Sequence, residues 1–183
     1  QSELSKKIIL DVGYHGTAGV NLLSGRDINQ PLPSPQYPNL RPVPFFGSID
    51  QIEAHAHSTY HSLQSKLKCR FRSGLTGMFS YTRSKSIDNA SNFFPSAADN
   101  NFPQNSYDTA AERGLSNFDV RHRFTGSWVY ELPFGDGHRL FGNLKGPFSV
   151  LAKGWMLNGI LTLQSGQPFS VLLPSGLDNS NTG

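Results

Sequence analysis

From Phe118 to Leu132 the side chains alternate in character with a period of two. One set is Phe118, Val120, His122, Phe124, Gly126, Trp128, Tyr130 and Leu132; the other is Asp119, Arg121, Arg123, Thr125, Ser127, Val129 and Glu131. Successive side chains of a β-strand point to opposite faces, so this stretch reads as a strand with one apolar, aromatic face and one charged, hydroxylated face. A helix would mix the two sets around its circumference. Four further stretches behave alike. Leu63, Leu67 and Phe71 face away from Tyr60, Ser62, Gln64, Lys66, Lys68, Arg70 and Arg72. After Ser73-Gly74, Leu75, Phe79 and Tyr81 alternate with Thr76, Ser80, Thr82 and Ser84. Ile8, Leu10, Val12 and Tyr14 alternate with Ile9, Asp11 and His15, and Trp155, Leu157, Leu161 and Leu163 with Asn158, Thr162 and Gln164. Ile9, Met78, Met156 and Ile160 are exceptions, apolar residues on the polar parity.

Length decides what kind of strand these are. A strand of a soluble protein averages about 5–6 residues, whereas these runs extend over roughly 9–16, and a tilted strand needs about 9–11 to cross a bilayer. The connections are unequal. Ser24–His57 and Asn89–Asn117 are long and rich in Pro, Asn, Ser and Gly, whereas Arg72-Ser73-Gly74-Leu75 reads as a tight hairpin turn. Short turns on one side and long loops on the other are the plan of a bacterial outer-membrane barrel. The expected fold is all-β: part of a transmembrane antiparallel β-barrel, a meander of about five long strands with long outer loops.

Composition excludes the competing classes. Charged residues make up 16% of the 183 residues, too few for a coiled coil or a charge-solubilised disordered tail. No apolar run approaches the ~18 residues of a membrane-spanning helix. The lone Cys69 cannot form an internal disulfide and reads as a small apolar residue. A net charge of +3 does not point to nucleic acid. The chain starts at Gln1 with no initiator Met or signal peptide, so a piece of a longer protein is expected.

Taking the Ser73-Gly74 turn as periplasmic places Phe71, Trp128, Tyr130 and Trp155 at one level on the apolar parity. Together with Tyr81 they are the expected lipid-facing aromatic girdle, where rings meet both lipid and water. Phe134–Gly154 is long for a periplasmic turn. The polar parity supplies the candidates to line the lumen: Lys66, Lys68, Arg70 and Arg72 on one strand, Asp119, Arg121, Arg123 and Glu131 on another. The basic row would attract anionic solutes, or, as we favour, be neutralised by acidic groups on neighbouring strands or on a plug.

Several stretches, in this order, carry a family likeness across nearly the whole chain: Val12-Gly13-Tyr14-His15-Gly16, Arg26-Asp27-Ile28-Asn29-Gln30-Pro31, Tyr60-His61-Ser62-Leu63-Gln64 and Ser80-Tyr81-Thr82-Arg83-Ser84-Lys85-Ser86-Ile87-Asp88. Then follow Glu112-Arg113-Gly114-Leu115-Ser116, Phe118-Asp119-Val120-Arg121-His122-Arg123-Phe124, Tyr130-Glu131-Leu132-Pro133-Phe134-Gly135 and Ser165-Gly166-Gln167-Pro168-Phe169. With these the chain resembles the barrel region of TonB-dependent receptors, in the subgroup that begins with a carboxypeptidase-regulatory-like domain. The resemblance implies that the parent protein imports a bulky solute (siderophore, glycan or similar) across the outer membrane of a Gram-negative-type bacterium. Its partners would be outer-membrane lipid, the solute, and a TonB-type energy-transducing protein that contacts an N-terminal part. Residues 1–183 are expected to be a fragment of that barrel, without the family's plug domain and remaining strands. Arg83 stands where the family's Tyr-Thr-Trp-Ser-Lys pattern has an aromatic.

No enzyme is expected. Asp119 and Glu131 would lie about 40 Å apart along one strand at about 3.3 Å per residue, whereas paired glycosidase carboxyls sit within about 5–9.5 Å. His55, His57 and His61 share a parity but lack a nearby Cys or carboxylate cluster to complete three or four convergent ligands, and loop and rim histidines are the plainer reading. Gly135-Asp136-Gly137-His138 and Gly142-Asn143 lack the Lys-Ser or Lys-Thr pair of a phosphate-binding loop and read as turns. No metal or cofactor is expected. The loops Ser24–His57 and Asn89–Asn117 are where solute contacts are expected.

The competing architecture is a cell-surface β-sandwich acting as a binding or adhesion module. The two differ in where Phe71, Tyr81, Trp128, Tyr130, Trp155 and Leu161 end up: under a second sheet, or bare on one face. The barrel reading predicts that the isolated chain aggregates in water and binds detergent; a soluble monomer that unfolds cooperatively would contradict it.

Overall fold

Each long alternating run forms a strand in the computed structural model, which describes residues 2–5, 7–35, 41–71, 74–92, 102–134 and 154–171. The strands are β1 (Ser2–Ser5), β2 (Ile8–Asp27), β3 (Asp50–Arg70), β4 (Leu75–Asp88), β5 (Gly114–Leu115), β6 (His122–Glu131) and β7 (Met156–Gln164). There is no helix among the described residues. Hydrogen-bonded order is β1-β2-β3-β4-β6-β7, with the two-residue β5 also on β4. The five long strands are therefore neighbours in chain order, as a meander requires. β4 pairs antiparallel with β6 from Leu75↔Tyr130 to Arg83↔His122, and β6 with β7 from Arg123↔Gln164 to Glu131↔Met156.

Three boundaries differ from the sequence reading. β2 runs on to Asp27, and β3 starts at Asp50, well before Thr59, so much of the expected loop Ser24–His57 is strand. The alternation is blurred on β2, where Val20 and Leu22 take one parity and Leu23 the other, and on β3 it is carried by the small residues Ala54 and Ala56 with Ile52 against Gln51, Glu53, His55 and His57; side-chain bonds add to the pairing. Arg26 Nε donates to Glu53 Oε1 at 2.8 Å, and Ser24 Oγ lies 3.3 Å from His55 Nδ1. Asn21, at φ +54°, adds a left-handed position that interrupts the pleat of β2. β6 starts at His122 rather than Phe118, because the chain from Ser116 to Asp119 is a turn in which the Asp119 amide donates to the Ser116 carbonyl at 2.9 Å.

The chain gathers into two units. Unit 1 comprises Gln1–His15, Ser62–Ser84 and Arg121–Ser165; unit 2 comprises Gly16–His61, Lys85–Val120 and Gly166–Gly183. Unit 1 is a bare ladder. Among its described residues Cys69 is the buried apolar side chain, while Phe71 (44%), Tyr81 (39%), Trp155 (58%) and Leu161 (41%) are exposed and Trp128 and Tyr130 half-buried. The sandwich alternative fails here, since among the described residues there is one sheet and no second one covers those rings. Unit 2 is held by polar contacts, with Ser24, Asn29, Gln30, Ser86, Asp88, Ser106, Ser116 and Asp119 buried and Pro31 and Ala56 as buried apolar side chains among its described residues.

The turn between β3 and β4 shows why a glycine stands at 74. The Phe71 amide donates to the Leu75 carbonyl at 2.8 Å and the Gly74 amide to the Phe71 carbonyl at 3.2 Å, with Gly74 at φ +84°. The Gly74 carbonyl also accepts the Glu131 amide at 3.1 Å, and a Cβ at Gly74 would lie 2.9 Å from the Glu131 carbonyl oxygen. Gly74→Val should therefore lower folding stability in detergent by about 1–3 kcal/mol, read as a lower urea midpoint at unchanged slope. An unchanged midpoint would show that the turn carries no such constraint.

Candidate functional site

In unit 1 the apolar parity forms cross-strand rows. Leu75, Tyr130 and Leu157 make one row; Gly77, Trp128 and Gly159 the next; Phe79, Gly126 and Leu161 the third; Tyr81, Phe124 and Leu163 the fourth. Glycines let the rings lie flat. A Cβ at Gly159 would sit 2.5 Å from Trp128 Cζ2, and Cβ atoms at Gly77 and Gly126 would come within 2.9 and 3.0 Å of the Phe79 ring. Phe79 and Phe124 stack with centroids 6.3 Å apart, and Tyr81 Oη lies 2.7 Å from His122 Nδ1. Phe71 is joined through its amide to Leu75, in the Tyr130 row, and the Trp155 carbonyl accepts the Leu132 amide at 2.9 Å. The register thus brings Phe71, Trp128, Tyr130 and Trp155 to adjacent levels, with Tyr81 two rows beyond Trp128. The ring-over-glycine packing was missed from sequence; its signal was Gly-x-aromatic on one parity, in Gly77-Met78-Phe79 and Gly126-Ser127-Trp128.

The polar parity of unit 1 carries a recess of about 910 Å³. Lys7, Lys68 and Arg70 line it together with Ile9, Met78 and Ile160. Three of the four apolar exceptions in the alternation therefore meet at one place, beside the basic row. Lys66 lies one pleat further along β3, half-buried. The expected neutralisation is absent among the described residues, whose ion pairs are Arg26–Glu53, Arg41–Asp27 and His55–Glu53. Arg123 pairs with Thr82 and Gln164, and Glu131 with Met156, on this same parity. The Arg121 carbonyl accepts the Ser84 amide just before β6 begins. Arg72 lies outside the described residues, as do the Gly135–His138 and Gly142-Asn143 stretches.

Asp119 corrects the reading that put it on a wall strand. It sits in unit 2, 4% exposed, and its Oδ1 accepts the Ser86 amide at 2.7 Å. Ser116 Oγ bonds Ser86 Oγ at 2.8 Å beside it. β5 and β6 both run antiparallel to β4, and between them the chain bulges out of the ladder, so the Asp119 carboxylate takes the place of a backbone acceptor for β4 and leaves the alternation. Of the three histidines, His55 is engaged by Ser24 and by Glu53 Oε2 at 3.5 Å, and no three His, Cys, Asp or Glu side chains among the described residues converge as metal ligands would.

The centre of unit 2 is Asn29, fully buried, whose Nδ2 donates to the carbonyls of Val43, Phe46 and Gly47 at 3.1, 3.1 and 2.7 Å. Its Oδ1 accepts the Val43 amide at 2.7 Å. One side chain thereby closes the segment 29–47. Asp27 works beside it, accepting the amides of Asn29 and Ile49 at 2.8 Å each and Arg41 Nη1 at 3.0 Å. Gln30 ties in the second loop: Nε2 donates to the Gln104 carbonyl at 2.9 Å, Oε1 accepts the Ser106 amide at 2.6 Å, and its carbonyl accepts Tyr107 Oη at 2.7 Å. Burial pushes the Asp27 carboxyl up, but the Ile49 and Asn29 amides and the Arg41 guanidinium outweigh it and hold it below the ordinary carboxylate value.

A sheet of long antiparallel strands, ringed and bare on one face and charged on the other, defines a membrane-embedded β-barrel wall. The whole chain, residues 1–183, matches the family described as outer membrane beta barrel domain, and the chain belongs to it. That membership assigns it to the outer membrane. No curated protein and no solved structure matches the chain.

The Asp27 contacts give a pH dependence of defined sign. Its folded value is below its unfolded one, so its stabilisation is complete above the unfolded value and is lost as pH falls through the folded value. Amide exchange at Asn29 and Ile49, corrected for intrinsic rates, should stay slow at about pH 5 and accelerate below about pH 3. Asp27→Asn should exchange about tenfold faster at neutral pH and lose this acid step. An identical pH course in both proteins would contradict the assignment.

Proposed function

We propose that the chain is wall and loops of an outer-membrane transporter of the TonB-dependent receptor type, in the subgroup with an N-terminal carboxypeptidase-regulatory-like domain, and that it catalyses no reaction. In this reading the full-length protein takes up a bulky solute such as a siderophore or glycan. A TonB-type energy-transducing protein acts through an N-terminal part, and nucleic acid is not a partner. One observation carries the reading: unit 1 leaves Phe71, Tyr81, Trp155 and Leu161 exposed and Trp128 and Tyr130 half-buried on one face, and moving such a side chain from water to hydrocarbon gains about 1.5–3 kcal/mol. The ordered motif set from Val12 to Phe169 supports the finer assignment. So does the cationic recess of Lys7, Lys68 and Arg70 on the opposite face, which suits a wall that meets an anionic solute or an acidic plug. The loop cluster knotted by Asn29 and Gln30 supplies a rigid surface for recognition.

Two measurements test this. In bilayers containing brominated acyl chains, Trp128 and Trp155 fluorescence should be strongly quenched, and Trp128→Phe should remove a share of that signal; unquenched tryptophans would place the ring face elsewhere. In cells carrying the full-length protein, solute accumulation should stop when an uncoupler collapses the proton-motive force. Uptake that continues unchanged would make the protein a passive pore.

A further inference from the structure

Unit 2 contains a second recess, about 320 Å³, between β3, the end of β4 and the loop that precedes β5. Arg113, Asn89, Thr109, His55 and His57 line it, with Ile87 as an apolar wall. Donors dominate the polar groups, and no carboxylate is among the lining residues. The nearby acids are engaged. Glu53 pairs with Arg26 at 2.7 Å, Glu112 Oε1 accepts the Gln104 amide at 2.8 Å, Asp108 Oδ1 accepts the Ala111 amide at 3.3 Å, and Asp88 accepts Ser91 Oγ at 2.9 Å. Arg26 and Arg41 of the same unit are likewise spent on carboxylates. Arg113 is exposed and makes no ion pair with a described residue.

The rim is built rather than accidental. The His57 amide donates to Asn89 Oδ1 at 2.7 Å and the Asn89 amide to the His57 carbonyl at 3.3 Å, which fixes the Asn89 side chain with its Nδ2 donors left over. The Ala111 amide donates to the Asp108 carbonyl at 3.3 Å, closing the turn that carries Thr109, and the Arg113 amide to the Ala110 carbonyl at 3.3 Å, closing the next. A guanidinium, a fixed carboxamide and a hydroxyl around an acid-free hollow form a receptor for an oxyanion, because each donates to a carboxylate or phosphate oxygen. The volume is near the lower limit of small-ligand sites, about 300–1,000 Å³, so the hollow holds one charged group rather than a whole bulky molecule.

We propose that this recess binds the carboxylate or phosphate group of an anionic solute, with Arg113 as the principal contact and Asn89 and His57 as supporting donors. The proposal names the solute chemistry within the uptake reading, and rests on that reading for its biological role, but binding is measurable without transport. The test is calorimetric titration of the full chain in detergent micelles with inorganic phosphate, with citrate and with maltose. Saturable binding of phosphate or citrate is expected, the better one naming the group, and none of maltose. Arg113→Gln should weaken the anion about tenfold and Arg113→Lys by no more than about threefold. His57→Gln should cost about threefold. Unchanged circular dichroism shows that each variant is folded. No saturable anion binding by the wild type, equal binding of maltose, or full affinity in Arg113→Gln would overturn the proposal. Uncoupler-resistant uptake would sink the transporter reading and leave this result standing.

Discussion

Backbone hydrogen bonding without water is the constraint from which the other features follow. In hydrocarbon an unpaired amide or carbonyl costs several kcal/mol, so a strand is tolerated only with partners on both sides. Within unit 1, β4 lies between β3 and β6 and β6 between β4 and β7, with an unbroken register that meets that demand for these two strands and leaves their side chains free to face lipid directly. A water-soluble sheet needs a second layer to cover its apolar face. Here the rings lie on glycines of neighbouring strands instead, so the face is smooth and needs no cover but acyl chains.

The two units solve different problems by different means. Unit 1 buries almost no apolar side chain and depends on its ladder and its solvent. Unit 2 depends on polar side chains that satisfy backbone groups of chain segments without regular partners. Asn29 alone engages four backbone groups of segment 43–47, and Asp27 and Gln30 bind the flanking strands and the 104–107 loop. No buried side-chain nitrogen or oxygen among the described residues is left without a partner. A buried hydrogen bond contributes only about 1 kcal/mol net, but an unmade one costs more, so such a network is cooperative. A rigid loop surface also loses less entropy when it meets a ligand.

The opposite face of unit 1 departs from a plain polar wall. Ile9, Met78 and Ile160 cluster next to Lys7, Lys68 and Arg70, giving a surface both greasy and cationic. Such a surface in an outer-membrane protein attracts anionic groups at long range and holds apolar ones at contact, which pure charge would not do.

Alternation along Phe118–Leu132 and its companions determined by itself that the chain is all-β, that about five strands are long, and which parity is apolar, because strand geometry maps odd and even positions onto opposite faces. It also marked Phe71, Tyr81, Trp128, Tyr130 and Trp155 as one face. Tertiary structure alone decided what alternation does not encode. Asp119 keeps the parity of a wall residue but lies where the chain bulges away from β4 between β5 and β6, and parity has no meaning once the chain leaves the ladder. Asn29 and Gln30 stood in the motif Arg26–Pro31, but what their side chains bind was hidden, because those partners lie 14 to 76 positions away. The meeting of Ile9, Met78 and Ile160, each an isolated exception along its own strand, came from register between strands, which a single strand's sequence does not specify.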